Sequence, residues 1–167
     1  MCIRDRGRYI ETTQENFINT MNISCYSFTS VSQKAEKLMK DGGSILTLTY
    51  YGSEKVMPHY NVMGIAKAGL ETSVKYLAKD LGSQNIRVNA IAPGFFIGKQ
   101  NRFLLIDKDT GNYTERGKSI IEHTPMGKFG EPKQLVSTVI WLLSDYSDFV
   151  TGVLIPVDGG FDAFGGV

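Results

Sequence analysis

Tyr60 and Lys67 stand seven residues apart in a stretch rich in Ala, Leu, Lys and Met, all good helix formers. Seven residues make two helical turns, so both side chains share one face. Their axial separation is about 10 Å, and a lysine leaning toward the helix N-terminus recovers about half of it. An ammonium beneath a phenol would ease formation of a phenolate, because a tyrosine that titrates near ~10 in water is pulled down by a nearby cation. The pair also fits a plain helix start, with a surface lysine beside a half-buried aromatic. Its neighbours favour chemistry. Tyr50 closes an apolar run before this helix, and Pro93 and Gly94 follow the next run. In open α/β sheets ligands bind at the carboxyl ends of the strands, where all of these residues fall.

Other groups offer less. His59 and His123 have no partners at metal-ligand spacing, so no metal site is expected. Gly159 and Gly160 open no helix and so do not make a phosphate-binding turn. Phe95, Phe96, Phe161 and Phe164 suit either an apolar pocket or ordinary packing.

The elements that must position these residues follow from hydrophobic periodicity. Thr12 or Thr13 with Glu15 opens a helix to about residue 40, with Phe17, Met21, Phe28, Val31, Ala35, Leu38 and Met39 at helical spacing. Gly42 and Gly43 end it. Residues 44–50 read as a buried strand, 51–59 as a loop, and 60–81 as a long helix stopped by Gly82. Residues 87–91 are a second strand, broken by Pro93 and Gly94. Residues 95–125 are irregular and polar, with one short helix near 115–122. A helix preceded by Gly130, Glu131 and Pro132 runs to Leu143, and residues 153–157 form the last strand. Helices alternating with short apolar strands imply a parallel sheet covered on both faces. Three strands are few for such a domain, which points to part of a larger one.

The 167 residues fit one domain, with 42% hydrophobic and 21% charged residues. Net charge is +1 with scattered basic residues, which argues against a nucleic-acid surface. The longest apolar runs, such as residues 139–143, are far short of the ~20 residues of a membrane span. With only Cys2 and Cys25, a disulfide framework is not expected and a reducing, cytoplasmic location fits. Residues 1–6 (MCIRDR) are charged and unpatterned, either not native or a short disordered tail, and are set apart from 7–167.

Residues 7–91 closely resemble the enoyl-acyl-carrier-protein reductases, a divergent branch of the short-chain dehydrogenase/reductases. The likeness lies in LTLTYYG at 46–52, PHYNVMGIAKA at 58–68, LG at 81–82 and IRVNAI at 86–91. Most of the superfamily spaces its tyrosine and lysine by three residues. Here the spacing is six, and Met63 stands in the usual tyrosine's place. The resemblance implies the carboxyl-terminal part of a Rossmann-like, doubly wound α/β sheet. It implies that Tyr60 hydrogen-bonds a thioester oxygen as an enolate forms, Lys67 holds the nicotinamide ribose, and Tyr50 flanks the substrate. It places Pro93, Gly94 and Phe95 beside NADH or NADPH, and makes a 2-enoyl thioester on acyl carrier protein the substrate. It also implies a homo-oligomer, a tetramer in the family, built through the helices at 13–40 and 60–81.

After Ile91 the pattern departs. Phe96, Gln100, Asn101 and Arg102 open a polar insert that suits a carboxylate or polyol, since an arginine grips a carboxylate through paired hydrogen bonds. Residues 92–167, with HTPMG at 123–127 and VDGGF at 157–161, resemble D-mannonate (fructuronate) oxidoreductases. This suggests two halves joined at 87–91, by recombination or mis-assembly, or else an unfamiliar subfamily. The alternatives to an enoyl reductase are a sugar-acid oxidoreductase and a non-catalytic oligomerisation fragment. The strand, Gly-rich turn and helix that hold a pyrophosphate in this fold are not in the sequence. The chain alone is therefore expected to bind dinucleotide poorly, to be inactive, and to expose the sheet edge at 45–49.

Overall fold

Thr13 starts the first helix by accepting the Asn16 N–H on its hydroxyl at 3.2 Å. In the computed structural model, which describes residues 7–99 and 101–165, α1 (Gln14–Met21), a π-helical turn (Asn22–Tyr26) and α2 (Ser27–Glu36) follow in succession. The expectations for residues 1–6 and for Gln100 lie outside the described residues. The single helix expected to residue 40 is thus interrupted and shorter. Its π turn holds the buried Cys25, and a methyl group added at Gly69 would come within 3.0 Å of the Cys25 Sγ. The helix widens where it meets a glycine on its neighbour. Gly42, at φ +85°, then turns the chain into the sheet.

The strands are β1 (Gly43–Leu48), β2 (Ile86–Pro93) and β3 (Leu154–Val157), all parallel in the order β1-β2-β3. Between β1 and β2 lies α3 (Asn61–Leu81). Between β2 and β3 lie α4 (Arg102–Leu105), α5 (Glu115–Glu122) and α6 (Val136–Leu143). Alternation along β2 divides its side chains between two faces. Ile86, Val88 and Ala90 join Val74, Ala78 and Leu81 of α3 in the main core, flanked by Phe28, Ile45 and Leu154. On the other face Arg87 donates from Nη1 to Leu142 O and Ser147 Oγ, both at 2.9 Å, and from Nη2 to Ser144 O at 3.0 Å. Ser44 Oγ donates to the same Leu142 carbonyl at 2.8 Å, which ties the end of α6 across β1 and β2. Both faces of the sheet are covered, as expected, and the architecture is the α/β, Rossmann-like one. The outer edge of β1 has no strand partner among the described residues.

α3 stops at Leu81 with Gly82 as its C-cap, as expected; Gly82 keeps helical angles (φ −59°), and a 3-10 turn then leads to Asn85, left-handed at φ +58°. β2 ends at Pro93, as expected, but runs two residues beyond the expected 87–91 before it does. By alternation the missing N–H of Pro93 points toward β1, whose pairing stopped at Leu48 with Ile91, so no ladder bond is lost. On the β3 side the ladder continues to Gly94, whose N–H reaches Val157 O at 3.0 Å. The insert after Phe96 is not simply irregular. It adds α4 as well as α5, and Leu105, Ile120 and Phe129 form a small second core with Phe95, Ile97 and Leu104. These apolar residues are too closely spaced to match either periodic pattern.

Candidate active site

Tyr60 is the N-cap of α3, placed where the chain turns sharply. The residues on either side, His59 and Asn61, have φ of +63° and +37°. Those two types tolerate the left-handed region better than most. The preceding loop lies flat on the first turns of the helix. A Cβ added to Gly52 would fall 2.5 Å from the Tyr60 ring, and one added to Gly64 would fall 2.6 Å from the Gly52 carbonyl oxygen. Gly64→Ala therefore pushes loop and helix apart. The expected cost is about 1–3 kcal/mol of stability, read as a lower denaturation midpoint, with a matching loss at the site.

This contact sets the aromatic groups. The Tyr50 ring meets Tyr60 edge-on at 5.0 Å between centroids and meets Phe95 at 5.9 Å. Phe95 in turn meets Phe161 at 5.0 Å, and Phe161 meets Tyr51 at 5.7 Å. Five rings thus run from the head of α3 to the turn after β3. Beside them a cavity of about 250 Å³ is lined by Tyr50, Tyr51, Glu71, Pro93, Gly94 and Phe161. Phe96 faces a second cavity of about 100 Å³, with Met126 and Phe129. Phe164 lines neither cavity and is exposed.

Lys67 lies on the same face of α3 as Tyr60, but its Nζ donates to the Leu48 carbonyl at 2.9 Å, at the end of β1. Burial pulls its pKa down, opposed by the charges of Glu71 and Cys25. Tyr60 is pushed above the ordinary tyrosine range, first by burial and then by Tyr50 and Glu71. Burial likewise pushes Tyr50 up to about 12, opposed by Arg116. The expected lowering of the Tyr60 pKa by Lys67 is therefore overturned. The ammonium is spent on a backbone carbonyl, and loss of solvent dominates. Near neutral pH Tyr60 is an intact phenol, and among the described residues its hydroxyl has no hydrogen-bond partner. A raised pKa keeps the proton on in the fold while an unfolded tyrosine near ~10 has lost it. Stability should fall as pH rises from about 10 toward 12, and ultraviolet titration should show two tyrosines ionising later than the rest.

Two participants escaped the sequence reading. Glu71, 9% exposed, accepts the hydroxyls of Thr49 and Ser53 on Oε1, both at 2.5 Å. Its spacing from Tyr60 and Lys67, eleven and four residues, put it on their face and was the available signal. Arg116, on α5, is the cation acting on Tyr50.

The insert residues are placed differently. Asn101 spends both ends of its side chain within its own loop, accepting the Gly98 N–H and donating to Phe96 O, each at 2.8 Å. Arg102 opens α4 and is exposed. Among the described residues no group of acidic, histidine or cysteine side chains has metal-binding geometry. His123 is engaged by the Ser119 carbonyl of its own helix at 2.8 Å.

For a nicotinamide dinucleotide the fit is divided. Lys67 has further N–H groups to offer ribose hydroxyls, and Gly94 lines the 250 Å³ cavity at the end of β2. Among the described residues no Gly-rich turn opens a helix to receive the pyrophosphate. Gly159 and Gly160 adopt φ of +70° and +90° in a turn closed by Asp158, which accepts the Gly160 and Asp162 N–H groups.

Residues 2–162 match the family model described as Enoyl-(Acyl carrier protein) reductase. The chain is 48% identical over 159 residues to enoyl-acyl-carrier-protein reductase (NADH) 1 of Rhizobium meliloti, covering 95% of this chain and 56% of that protein. A crystal structure of the reductase from Anaplasma phagocytophilum in complex with NAD superposes with a TM-score of 0.81 at 44% identity, over 96% of this chain and 57% of the other. A Haemophilus influenza protein described as a D-mannonate oxidoreductase, with bound NAD, superposes with a TM-score of 0.84 at 32% identity, over 96% and 58%. The chain thus spans a little over half the length of these relatives. Neither likeness stops at residues 87–91, so the matches mark no join there.

Proposed function

Because the chain belongs to the enoyl-(acyl carrier protein) reductase family, we propose that its residues form the catalytic portion of an enzyme that reduces the 2,3 double bond of 2-enoyl thioesters carried on acyl carrier protein. The observation that carries this reading is the free, protonated Tyr60 hydroxyl held against Tyr50 at the carboxyl end of the sheet, with Lys67 on the same helix face.

NADH or NADPH, when bound, supplies the hydride that reaches the β-carbon of the substrate. The Tyr60 hydroxyl donates a hydrogen bond to the thioester oxygen and strengthens it as enolate charge develops there. Burial helps, because it keeps the proton on Tyr60 and raises the worth of that bond. Lys67, anchored at Leu48 O, would offer its remaining N–H groups to the ribose, and Pro93, Gly94 and Phe95 would stand on the nicotinamide side. Tyr50, Phe95 and Phe161 give the acyl chain an apolar wall.

A second reading, a sugar-acid oxidoreductase, draws on the structural likeness to the mannonate oxidoreductase and on Arg102 and Asn101 as carboxylate or polyol ligands. Asn101 is already consumed by its own loop, which weakens that reading. A third, a non-catalytic oligomerisation fragment, gives the Tyr60 hydroxyl at the strand ends, unpaired among the described residues, no task. The enzyme is proposed to be a cytoplasmic homo-oligomer. No described helix is long and apolar enough to cross a membrane.

The test is a hybrid in which residues 7–165 replace the matching segment of the Rhizobium meliloti relative. Oxidation of NADH and of NADPH is followed with a short 2-enoyl thioester, and reduction of NAD with D-mannonate. Turnover of the thioester is expected. Turnover of the sugar acid alone would replace the proposal with the second reading. The 167-residue chain by itself should show weak NADH fluorescence changes and no turnover. Activity of that chain alone would refute this last point.

A further inference from the structure

The charge of Glu71 sits where a neutral acceptor would satisfy the same hydroxyls. The residue is 9% exposed, and a carboxylate removed from water is costly unless it is hydrogen-bonded. Among the described residues it makes no direct ion pair, and the Lys67 ammonium acts on it only from a distance. What it has are two hydroxyl donors, Thr49 Oγ1 and Ser53 Oγ, both on Oε1. Those donors bracket Tyr50, Tyr51 and Gly52, so one oxygen closes the loop at both ends. Lys67, one turn earlier on α3, adds a tie to Leu48 O. The helix that presents Tyr60 therefore also fixes the loop that presents Tyr50.

Resting on the reading of Tyr60 as hydrogen-bond donor, we propose that Glu71 is a positioning residue. Its carboxylate ties both ends of the 49–53 loop to α3 and thereby sets Tyr50 against Tyr60. The acceptor role and the negative charge are separable by substitution. Glu71→Gln keeps an acceptor oxygen, and Glu71→Leu keeps the volume without one. Thr49→Val with Ser53→Ala removes the donors from the loop side and leaves α3 untouched.

The Tyr50 ring lies edge-on to Tyr60 at 5.0 Å, so ring-current shifts of its signals report its position. They are read by NMR on the 167-residue chain with labelled tyrosine. Glu71→Leu and the Thr49→Val/Ser53→Ala pair should each move the Tyr50 signals toward those of a free tyrosine, and Glu71→Gln should restore them. In the hybrid enzyme Glu71→Leu should lower kcat by about ten- to a hundred-fold with little change in KM, and Glu71→Gln should recover most of the loss. Tyr50 signals unchanged in the loop-side pair would overturn the proposal, as would a Glu71→Gln variant no better than Glu71→Leu. If Glu71→Leu does not fold, the loop-side pair decides. A hybrid that reduces no enoyl thioester would sink the functional reading, while the Tyr50 signals would still decide the role of Glu71.

Discussion

Tyr60→Phe is expected to lower kcat for enoyl-thioester reduction in the hybrid enzyme by about 10²–10³-fold, or about 2.7–4 kcal/mol of transition-state stabilisation. The substitution removes one oxygen and nothing else. The ring stays against Gly52, where there is no room for a Cβ, and edge-on to Tyr50. Among the described residues the hydroxyl bonds to none, so its loss leaves no orphaned partner and the fold should be unchanged. KM should move little, because the bond strengthens only as charge reaches the thioester oxygen. Steady-state kinetics with thermal unfolding as control checks both statements. A loss of less than about three-fold would remove Tyr60 from the chemistry and favour the oligomerisation reading, in which this hydroxyl has no task.

Leu142→Ala is expected to have the largest effect on stability, about 2–5 kcal/mol. Leu142 is fully buried on α6, where the helix crosses the sheet. Its backbone carbonyl receives both Ser44 Oγ and Arg87 Nη1, so the helix end cannot settle into the space left behind. A domain has only about 5–15 kcal/mol to lose. The shift should appear in the urea midpoint with an unchanged slope. A cost below about 1 kcal/mol would mean that α6 does not pack on β1 and β2 as described.

The frame of the fold was legible because it rests on periodicity. The long helix at 61–81, the parallel strands and the cover on both faces follow from apolar spacing that tertiary contacts reinforce. What was missed turns on contacts between distant residues. The π turn at Asn22–Tyr26 depends on Gly69, more than forty residues away, which lets two helices approach. Pro93 falls where the pairing of β1 with β2 stops, just past the Leu48–Ile91 pair.

The placement of the candidate residues was legible to the same degree. The spacing of Tyr60 and Lys67 gave their shared face, and the strand ends gave Tyr50, Pro93 and Gly94. It could not show that Lys67 is engaged by Leu48 O or that burial outweighs its charge at Tyr60. Glu71 looks like any helical glutamate until Thr49 and Ser53 are seen to converge on it. Asn101 looked like a ligand for a polar substrate and proves to be a loop staple.

The most direct test is isotopic. With C4-deuterated NADH and a 2-enoyl thioester, the hybrid enzyme should place deuterium on C3 of the saturated product, and Tyr60→Phe should slow its arrival by the same factor as kcat. Product without deuterium at C3, or deuterium arriving equally fast in the Tyr60→Phe variant, would contradict an enoyl reductase that works through Tyr60.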